Sequence, residues 1–135
     1  MFELTLKAIV DNLPKVTDFI DGHLEACDCP MKAQLQIDVA IDELFANIAH
    51  YAYGDAVGDA TVQFDFDPSD RIVSVTFMDH GVPFDPLQSA EPDVTLSAEE
   101  REIGGLGIFL VKKTMDNLTY RYENGMNILN FTKRI

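Results

Sequence analysis

Two polar residues four positions apart, Glu43 and Asn47, lie in a segment whose apolar residues recur at helical spacing. Residues four apart project side by side from one face of a helix, here beside the apolar stripe. A carboxylate can take a proton from a hydroxyl, and an amide oxygen can bind a hard cation such as Mg²⁺ without adding charge. The pair is a candidate base and cation ligand, and a solvated helix face is the alternative explanation of the same pattern.

A second motif, Asp79-His80-Gly81, stands where a run of alternating apolar residues ends. An aspartate at the end of a strand can accept a hydrogen bond from an amino group. A glycine two residues later lets a flat ligand approach the backbone closely. The motif predicts a binding position for an amino-bearing ligand, with an ordinary turn as the alternative.

A third motif is a cluster of glycines, Gly104, Gly105 and Gly107, that runs directly into a helical segment. Glycines at the start of a helix leave free N–H groups and the positive end of the helix dipole facing any anion there. The cluster lacks the Gly-Lys-Ser/Thr ending of a P-loop, and it does not follow the first strand as the glycines of a Rossmann fold do. It predicts a phosphate-binding helix start, with helix packing as the alternative.

The order and spacing of the three motifs resemble the N, G1 and G2 boxes of the GHKL ATPase superfamily. Within that superfamily, residues 41–47 and 104–111, followed by Met115-Asp116, resemble the anti-sigma-factor serine/threonine kinases. The resemblance covers nearly the whole chain, from the first strand to Lys133-Arg134. It implies an α+β fold, a two-layer α/β sandwich of the GHKL (Bergerat) type, in which helices pack on one face of a mixed, mostly antiparallel sheet.

The resemblance also implies roles for the residues of the first two motifs. Glu43 corresponds to the general base that orients and deprotonates an attacking serine hydroxyl. Asn47 corresponds to the residue that holds the Mg²⁺ ion bridging the phosphates of ATP. Asp79 corresponds to the acceptor of the adenine amino group, and Gly81 to the residue beside the adenine ring.

At the phosphate end, the resemblance implies that Gly104, Gly105 and Gly107 wrap the triphosphate, with Leu106 in the same nucleotide-binding motif. Arg101 lies at the end of the intervening lid, where it is expected to neutralise charge on the transferred phosphoryl group. The cofactors implied are therefore ATP and Mg²⁺.

Two departures from the family pattern fall at the rim of the expected nucleotide site. Family members often have His-Gly after the helix asparagine, where this chain has Tyr51-Ala52. They often have a threonine in the last strand, a position that we assign to Ile128. Both departures concern contacts on the adenine side of the site.

The elements that must position these motifs follow from hydrophobic periodicity. Alternation predicts strands, apolar residues at helical spacing predict helices, and Asn12 is the expected N-cap of the first helix. Residues 80–103 show no period, which is typical of a functional lid. The predicted elements of this single domain, residues 1–135, are a first strand at 2–6, helices at 12–27 and 31–53, a hairpin at 60–66 and 72–78, the lid at about 80–103, a helix at 105–117, and closing strands at 118–122 and 128–132.

Charge is unevenly distributed along the 135 residues, whose net charge is −13. Residues 1–100 carry four basic and 20 acidic side chains, whereas residues 101–135 carry six basic and three acidic ones. Such a chain repels nucleic-acid backbones and anionic membrane surfaces. We expect an anion to bind in the last quarter, where an acidic partner would meet Lys112 and Lys113, and a basic partner to bind the first hundred residues.

The two cysteines, Cys27 and Cys29, are too close for an unstrained disulfide and too few for a closed zinc site. His23 offers a third possible ligand, but a helix end in a reducing compartment explains the group more simply. No signal peptide or membrane span is recognisable, so we expect a cytoplasmic protein.

The function implied by the resemblance is that of an ATP-dependent serine kinase acting as an anti-sigma factor or similar partner-switching regulator. Its expected partners are a sigma factor and a STAS-type anti-anti-sigma protein, and a homodimer is the expected assembly. The alternative is an interaction domain that binds ATP and Mg²⁺ without phosphate transfer. An acidic α/β domain without a ligand is a further alternative. The catalytic half of a histidine kinase is disfavoured, because we expect no phospho-accepting helical hairpin before the first strand.

Overall fold

The computed structural model describes residues 1–88 and 105–135. They form two layers, three α-helices and one five-stranded sheet. The elements, in chain order, are β1 (Phe2–Lys7), α1 (Leu13–Ala26), α2 (Met31–Tyr51), β2 (Asp59–Asp67), β3 (Ile72–Asp79), α3 (Gly105–Thr114), β4 (Asn117–Glu123) and β5 (Met126–Arg134), with short 3-10 turns at Val10–Asn12 and Pro86–Gln88.

The sheet has the strand order β1-β2-β3-β5-β4, which leaves β3 in the centre. The predicted arrangement of helices on one face of a mostly antiparallel sheet is confirmed. All four pairings among the described strands are antiparallel, so this part of the sheet lacks the parallel pairing of a mixed sheet. In β3 every second side chain is buried, as expected of a strand with one covered face. That alternation places Asp79 on the same face as Val75 and Phe77, which is the face that the helices cover.

The core lies between this face and the helices. Its largest fully buried side chains include Phe45 of α2, Phe64 of β2, Phe77 of β3 and Phe131 of β5. Burying an aromatic or aliphatic side chain of this size contributes roughly 1.5–3 kcal/mol of transfer free energy. The four phenylalanines therefore hold α2 against the middle of the sheet, and α2 is the element that carries Glu43 and Asn47.

The predicted helices begin where expected but end earlier. Helix α2 ends at Tyr51, three residues before Gly54 with its φ of 59°. Helix α3 ends at Thr114, because residues from Asn117 onward already pair with β5. Asn12 precedes α1, but it makes no side-chain cap; its amide donates instead to the Lys7 carbonyl oxygen, at 2.8 Å.

The closing hairpin turns at Asn124 and Gly125, whose φ angles are 55° and 77°. Two successive residues with positive φ are typical of the type I′ turn, which matches the twist of antiparallel strands. This turn fixes the β4–β5 register, in which Tyr122 lies opposite Asn127. The separate pairing of β5 with β3 places Asn127 opposite Asp79 at the end of β3.

Between α1 and α2, two aspartates lie close together. One buried oxygen of each, Oδ1 of Asp21 and Oδ1 of Asp38, has no hydrogen-bond partner in the described structure. Burial, and then the hydrogen bond with Asp21, raise the pKa of Asp38 to about 7. The folded chain therefore holds a proton there that an unfolded chain would release near pH 4, so we expect this pair to reduce stability as pH rises towards 7.

Most of the expected lid, from residue 89 onward, lies outside the described residues. Its first part follows β3 and includes the turn Pro86–Gln88. The Lys112 ammonium of α3 donates to the Leu87 carbonyl oxygen at 2.7 Å, so this part is joined to the helix layer. Among the helices described, none has the length and apolar character to cross a membrane.

Candidate functional site

A cavity opens beneath α2, where β3 ends and β5 begins. Its polar lining residues are Asn47 of α2, Asp79 of β3 and Asn127 of β5. Asp79 and Asn127 meet because the antiparallel register places them directly opposite each other. The structure thus brings Asp79 together with Asn47, 32 positions before it in the chain, and with Asn127, 48 positions after it.

Asp79 is buried, with 4% of its surface exposed. Its Oδ1 accepts hydrogen bonds from the Gly81 backbone N–H and from the Asn127 side-chain amide, both at 2.9 Å. Burying a carboxylate is costly unless donors surround it, and these two bonds offset that cost. The predicted acceptor is therefore held in place by its own neighbours, at the wall of the cavity.

Asn127 was not predicted as a site residue. Its Nδ2 donates to Asp79 and also to the Val82 carbonyl oxygen, at 2.9 Å. Its Oδ1 accepts from the Phe84 N–H at 3.1 Å and from the Tyr120 hydroxyl. In the sheet Ile128 pairs with Met78 and Asn127 pairs with Asp79, so Asn127 rather than Ile128 is the last-strand residue that contacts Asp79. A signal was present: Asn127 is the polar member of an alternation that continues with Leu129 and Phe131.

Apart from the Tyr120 hydroxyl, which bonds to Asn127, the remaining walls of the cavity are apolar. Leu44, Phe77 and Leu129 contribute side chains from the core, and Tyr51 stacks on Phe84 at the rim with ring centroids 5.2 Å apart. Ligand sites are commonly apolar with a few placed polar groups that fix orientation. This cavity suits a flat heteroaromatic ring bearing a hydrogen-bond donor.

Gly81 has a neighbour that the sequence did not predict. A side chain at this position would overlap the backbone carbonyl of Ala52, just beyond the end of α2. The next residue, Val82, donates its N–H to the same Ala52 carbonyl oxygen at 2.8 Å. Within the described residues Gly81 therefore holds the loop after β3 against the end of α2, while its N–H binds Asp79.

Glu43 lies one helical turn before Asn47, on the side of α2 that contacts α3. A Cβ at Gly107 would overlap the Glu43 carboxylate, so the glycine is what permits this close contact. Burial raises the pKa of Glu43, and the negative charge of Asp42 raises it further. The carboxylate therefore lies at the start of α3 and is a stronger base than an ordinary glutamate.

The predicted phosphate end is described from Gly105 onward, with α3 held to the core by Ile108 and Val111. Arg101 and Gly104 lie outside the described residues, as does the Leu106 side chain. Of the predicted site, the structure therefore shows Asn47 with Asp79 in one cavity, and Glu43 with Gly107 beside it.

The donor atoms fit a magnesium ion that arrives with phosphates. In the part of the chain that the structure describes, no three His, Cys, Asp or Glu residues are grouped as a protein-only metal site. Mg²⁺ is commonly held by one or two oxygen ligands from the protein, together with substrate phosphates and water. The Asn47 amide oxygen at the cavity is a ligand of that kind.

The cysteines and His23 are not near this site. His23 stacks between the rings of Phe2 and Phe64, with centroids 4.0 and 5.2 Å away. Burial raises the pKa of both the Cys27 and Cys29 thiols, which makes them less reactive. Cys27 directly follows the last residue of α1, which is the helix end that the sequence predicts.

Comparisons with known proteins agree with this geometry. Residues 6–133 match the model of the histidine kinase-like ATPase domain. The serine-protein kinase RsbW of Bacillus cereus is 33% identical over 95 residues, which cover 67% of this chain and 58% of that protein. The serine/threonine-protein kinase BtrW of Bordetella bronchiseptica is 27% identical over 101 residues, which cover 75% of this chain and 70% of that protein. The match thus spans less than two thirds of the length of RsbW.

Proposed function

The chain belongs to the histidine kinase-like ATPase domain family, and on that premise we propose that it is an ATP-dependent protein-serine kinase of the anti-sigma-factor type. The proposal is supported most strongly by the contact between the Glu43 carboxylate and Gly107. This contact places a candidate base against the glycine-rich start of a helix, which is where phosphates bind.

Adenine binds in the apolar cavity, and its amino group donates to Asp79. The bonds that Asp79 accepts within the described structure both end on Oδ1. Oδ2 is then the acceptor for the ligand. The stacked rings of Tyr51 and Phe84 border the mouth of the cavity, where they limit the access of water to the base.

The triphosphate extends from this cavity towards α3. Gly104, Gly105, Leu106 and Gly107 supply backbone N–H groups to it, and Arg101 supplies positive charge. Asn47 holds the Mg²⁺ ion, which supplies charge neutralisation for the phosphate oxygens when it is bound.

Glu43 takes the proton from the serine hydroxyl of the substrate protein. The serine oxygen forms its bond to the γ-phosphorus, the bond from that phosphorus to the β–γ bridging oxygen breaks, and ADP leaves. A base whose pKa is raised towards neutrality transfers protons more effectively near pH 7. The burial that raises the pKa of Glu43 therefore assists the reaction.

The partners we propose are a sigma factor and a STAS-type anti-anti-sigma protein, bound by a cytoplasmic homodimer of this domain. Charge supports the first, because residues 1–100 carry 20 acidic and four basic side chains. Within the described residues, the ion pairs are Met1 with Asp65 and Arg121 with Glu123. The acidic side chains of α1 and α2 are therefore free of ion pairs in that part of the chain and favour a basic partner.

The test has two parts. The chain is incubated with γ-labelled ATP and Mg²⁺ in the presence of the STAS proteins of its host, and label is sought on a serine. Pull-downs at low and high salt are then analysed for sigma factors. We expect label on a STAS protein and recovery of a sigma factor that declines with salt. Binding of ATP without either result would instead support the non-transferring interaction domain.

A further inference from the structure

Asn127 makes hydrogen bonds whose directions are fixed by the backbone. A peptide N–H can only donate and a peptide carbonyl can only accept. The Phe84 N–H points at Oδ1 of Asn127, and Nδ2 of Asn127 points at the Val82 carbonyl oxygen. The amide of Asn127 therefore has one possible orientation, without any assumption about hydrogen positions.

This orientation determines what Asp79 can do. Because Nδ2 of Asn127 is the donor, Oδ1 of Asp79 must accept, and the Gly81 N–H donates to the same oxygen. Oδ1 of Asp79 is thus held as an acceptor by two fixed donors. Asn127 is itself buried, with 6% of its surface exposed, so water competes little for these bonds.

Tyr120 completes the arrangement from the neighbouring strand. Its hydroxyl donates to Oδ1 of Asn127. A tyrosine hydroxyl with its ordinary pKa near 10 keeps its proton at neutral pH, and burial raises the pKa of Tyr120 further. The Asn127 oxygen thus accepts from two donors, and its nitrogen is left to face Asp79 and the loop after β3.

We propose that Asn127, supported by Tyr120, is a positioning residue for base selection: it fixes Asp79 as an acceptor and so makes the site choose a purine with a 6-amino group. The inference rests on the proposed nucleotide site and adds to it a residue outside the motifs that predicted that site. The selectivity comes from a series of hydrogen bonds that joins Phe84, Asn127 and Asp79. The Phe84 N–H fixes the orientation of the Asn127 amide, and that amide then donates to Asp79.

The experiment compares ADP with purine riboside 5′-diphosphate, which has hydrogen in place of the 6-amino group. Calorimetry with Mg²⁺ present gives the affinity of each for the wild type, Asn127→Leu and Asn130→Leu. Asn130 is the matched control, since it is a half-buried asparagine on the same strand whose amide donates to Ser74, Val75 and Thr76 and lies away from Asp79.

We expect the wild type to favour ADP by about 10- to 100-fold, the range for one hydrogen bond to a buried charged group. In Asn127→Leu the preference should fall to within about threefold, while affinity for the purine analogue changes by less than about threefold. Asn130→Leu should keep the wild-type preference. A side chain that only supported the fold would weaken both ligands equally.

Equal weakening of both nucleotides, or an unchanged preference in Asn127→Leu, would overturn the positioning role while leaving the proposed nucleotide site intact. A wild type that binds neither nucleotide would overturn the proposed function and this inference together. If circular dichroism shows that Asn127→Leu does not fold, Tyr120→Phe decides. It removes one of the two donors to Oδ1 and should reduce the preference by about two- to fivefold, and no reduction would refute the proposal.

Discussion

The adenine end and the phosphate end of the candidate site are held in different ways. At the adenine end, Asp79 and Asn127 are fixed by hydrogen bonds whose directions the backbone sets. At the phosphate end, the described residues meet by close approach, with the Glu43 carboxylate against the α-carbon of Gly107. Under the proposed function, recognition of the nucleotide is therefore built into the sheet, whereas the transfer chemistry depends on how two helices pack.

This difference predicts different sensitivities. A change at the adenine end breaks hydrogen bonds and should appear as a loss of affinity for the nucleotide. A change at the phosphate end moves a reacting group and should appear as a loss of rate, with binding largely kept. The four substitutions that follow test this division.

The largest effect is expected for Glu43→Gln, which removes the base but keeps the shape of the side chain. Transfer of label to the serine substrate should slow by about 10²–10⁴-fold in single-turnover assays, the usual contribution of a general base. Affinity for ADP should change by less than about twofold. Asp42→Asn, the neighbouring carboxylate, is the control and should transfer at near the wild-type rate at pH 7.5. Wild-type transfer by Glu43→Gln would show that Glu43 is not the base.

Asp79→Asn should have the next largest effect, and on affinity. The substitution places an amide donor where the adenine amino group must donate, so ADP binding measured by calorimetry should weaken by about 10- to 100-fold. Asp85→Asn is the control, because Asp85 accepts only a local bond from the Leu87 N–H in the described structure. An unchanged affinity for ADP in Asp79→Asn would show that adenine binds elsewhere.

Gly107→Ala tests the close approach at the phosphate end. The added methyl group overlaps the far end of the flexible Glu43 side chain, so the fold should survive while the carboxylate moves. We expect transfer to slow by about tenfold, because misplacing a reacting group by about 1 Å is costly. Gly22→Ala, on α1, has open space and should leave the rate unchanged. Equal rates in both variants would show that the contact has no role in transfer.

The smallest effect is a shift in pH dependence. Glu43 must be ionised to accept a proton, so transfer should fall as pH drops through its pKa, which burial and then Asp42 hold above the ordinary value of 4.5. Asp42→Asn removes the negative charge that raises the pKa of Glu43 beyond the effect of burial. The acid limb of the transfer rate should therefore move to lower pH by roughly a few tenths of a unit, since a charge near the surface is well screened. A limb that moves upward, or stays in place, would contradict the assignment of Glu43.

Much of the fold could be predicted from local pattern, because alternation and helical spacing are set by which faces are buried. The four-residue spacing of Glu43 and Asn47 correctly indicated neighbouring positions on one helix face. What could not be predicted depends on pairing across the sheet: Asn127 faces Asp79 because β5 pairs with β3 in that register, which neither strand's own pattern specifies. The contact of Gly81 with Ala52 is likewise a product of tertiary packing, which no local pattern contains.

The tyrosines described above give the site an optical property. The chain has no tryptophan and four tyrosines, so its ultraviolet emission comes from tyrosine alone. Tyr51 stacks on Phe84, Tyr53 accepts a bond from the His80 N–H, Tyr120 lines the cavity and Tyr122 pairs with Asn127. All four fluorophores thus lie at one end of the sheet, and the unmodified protein should report an occupied cavity by a change in its own emission.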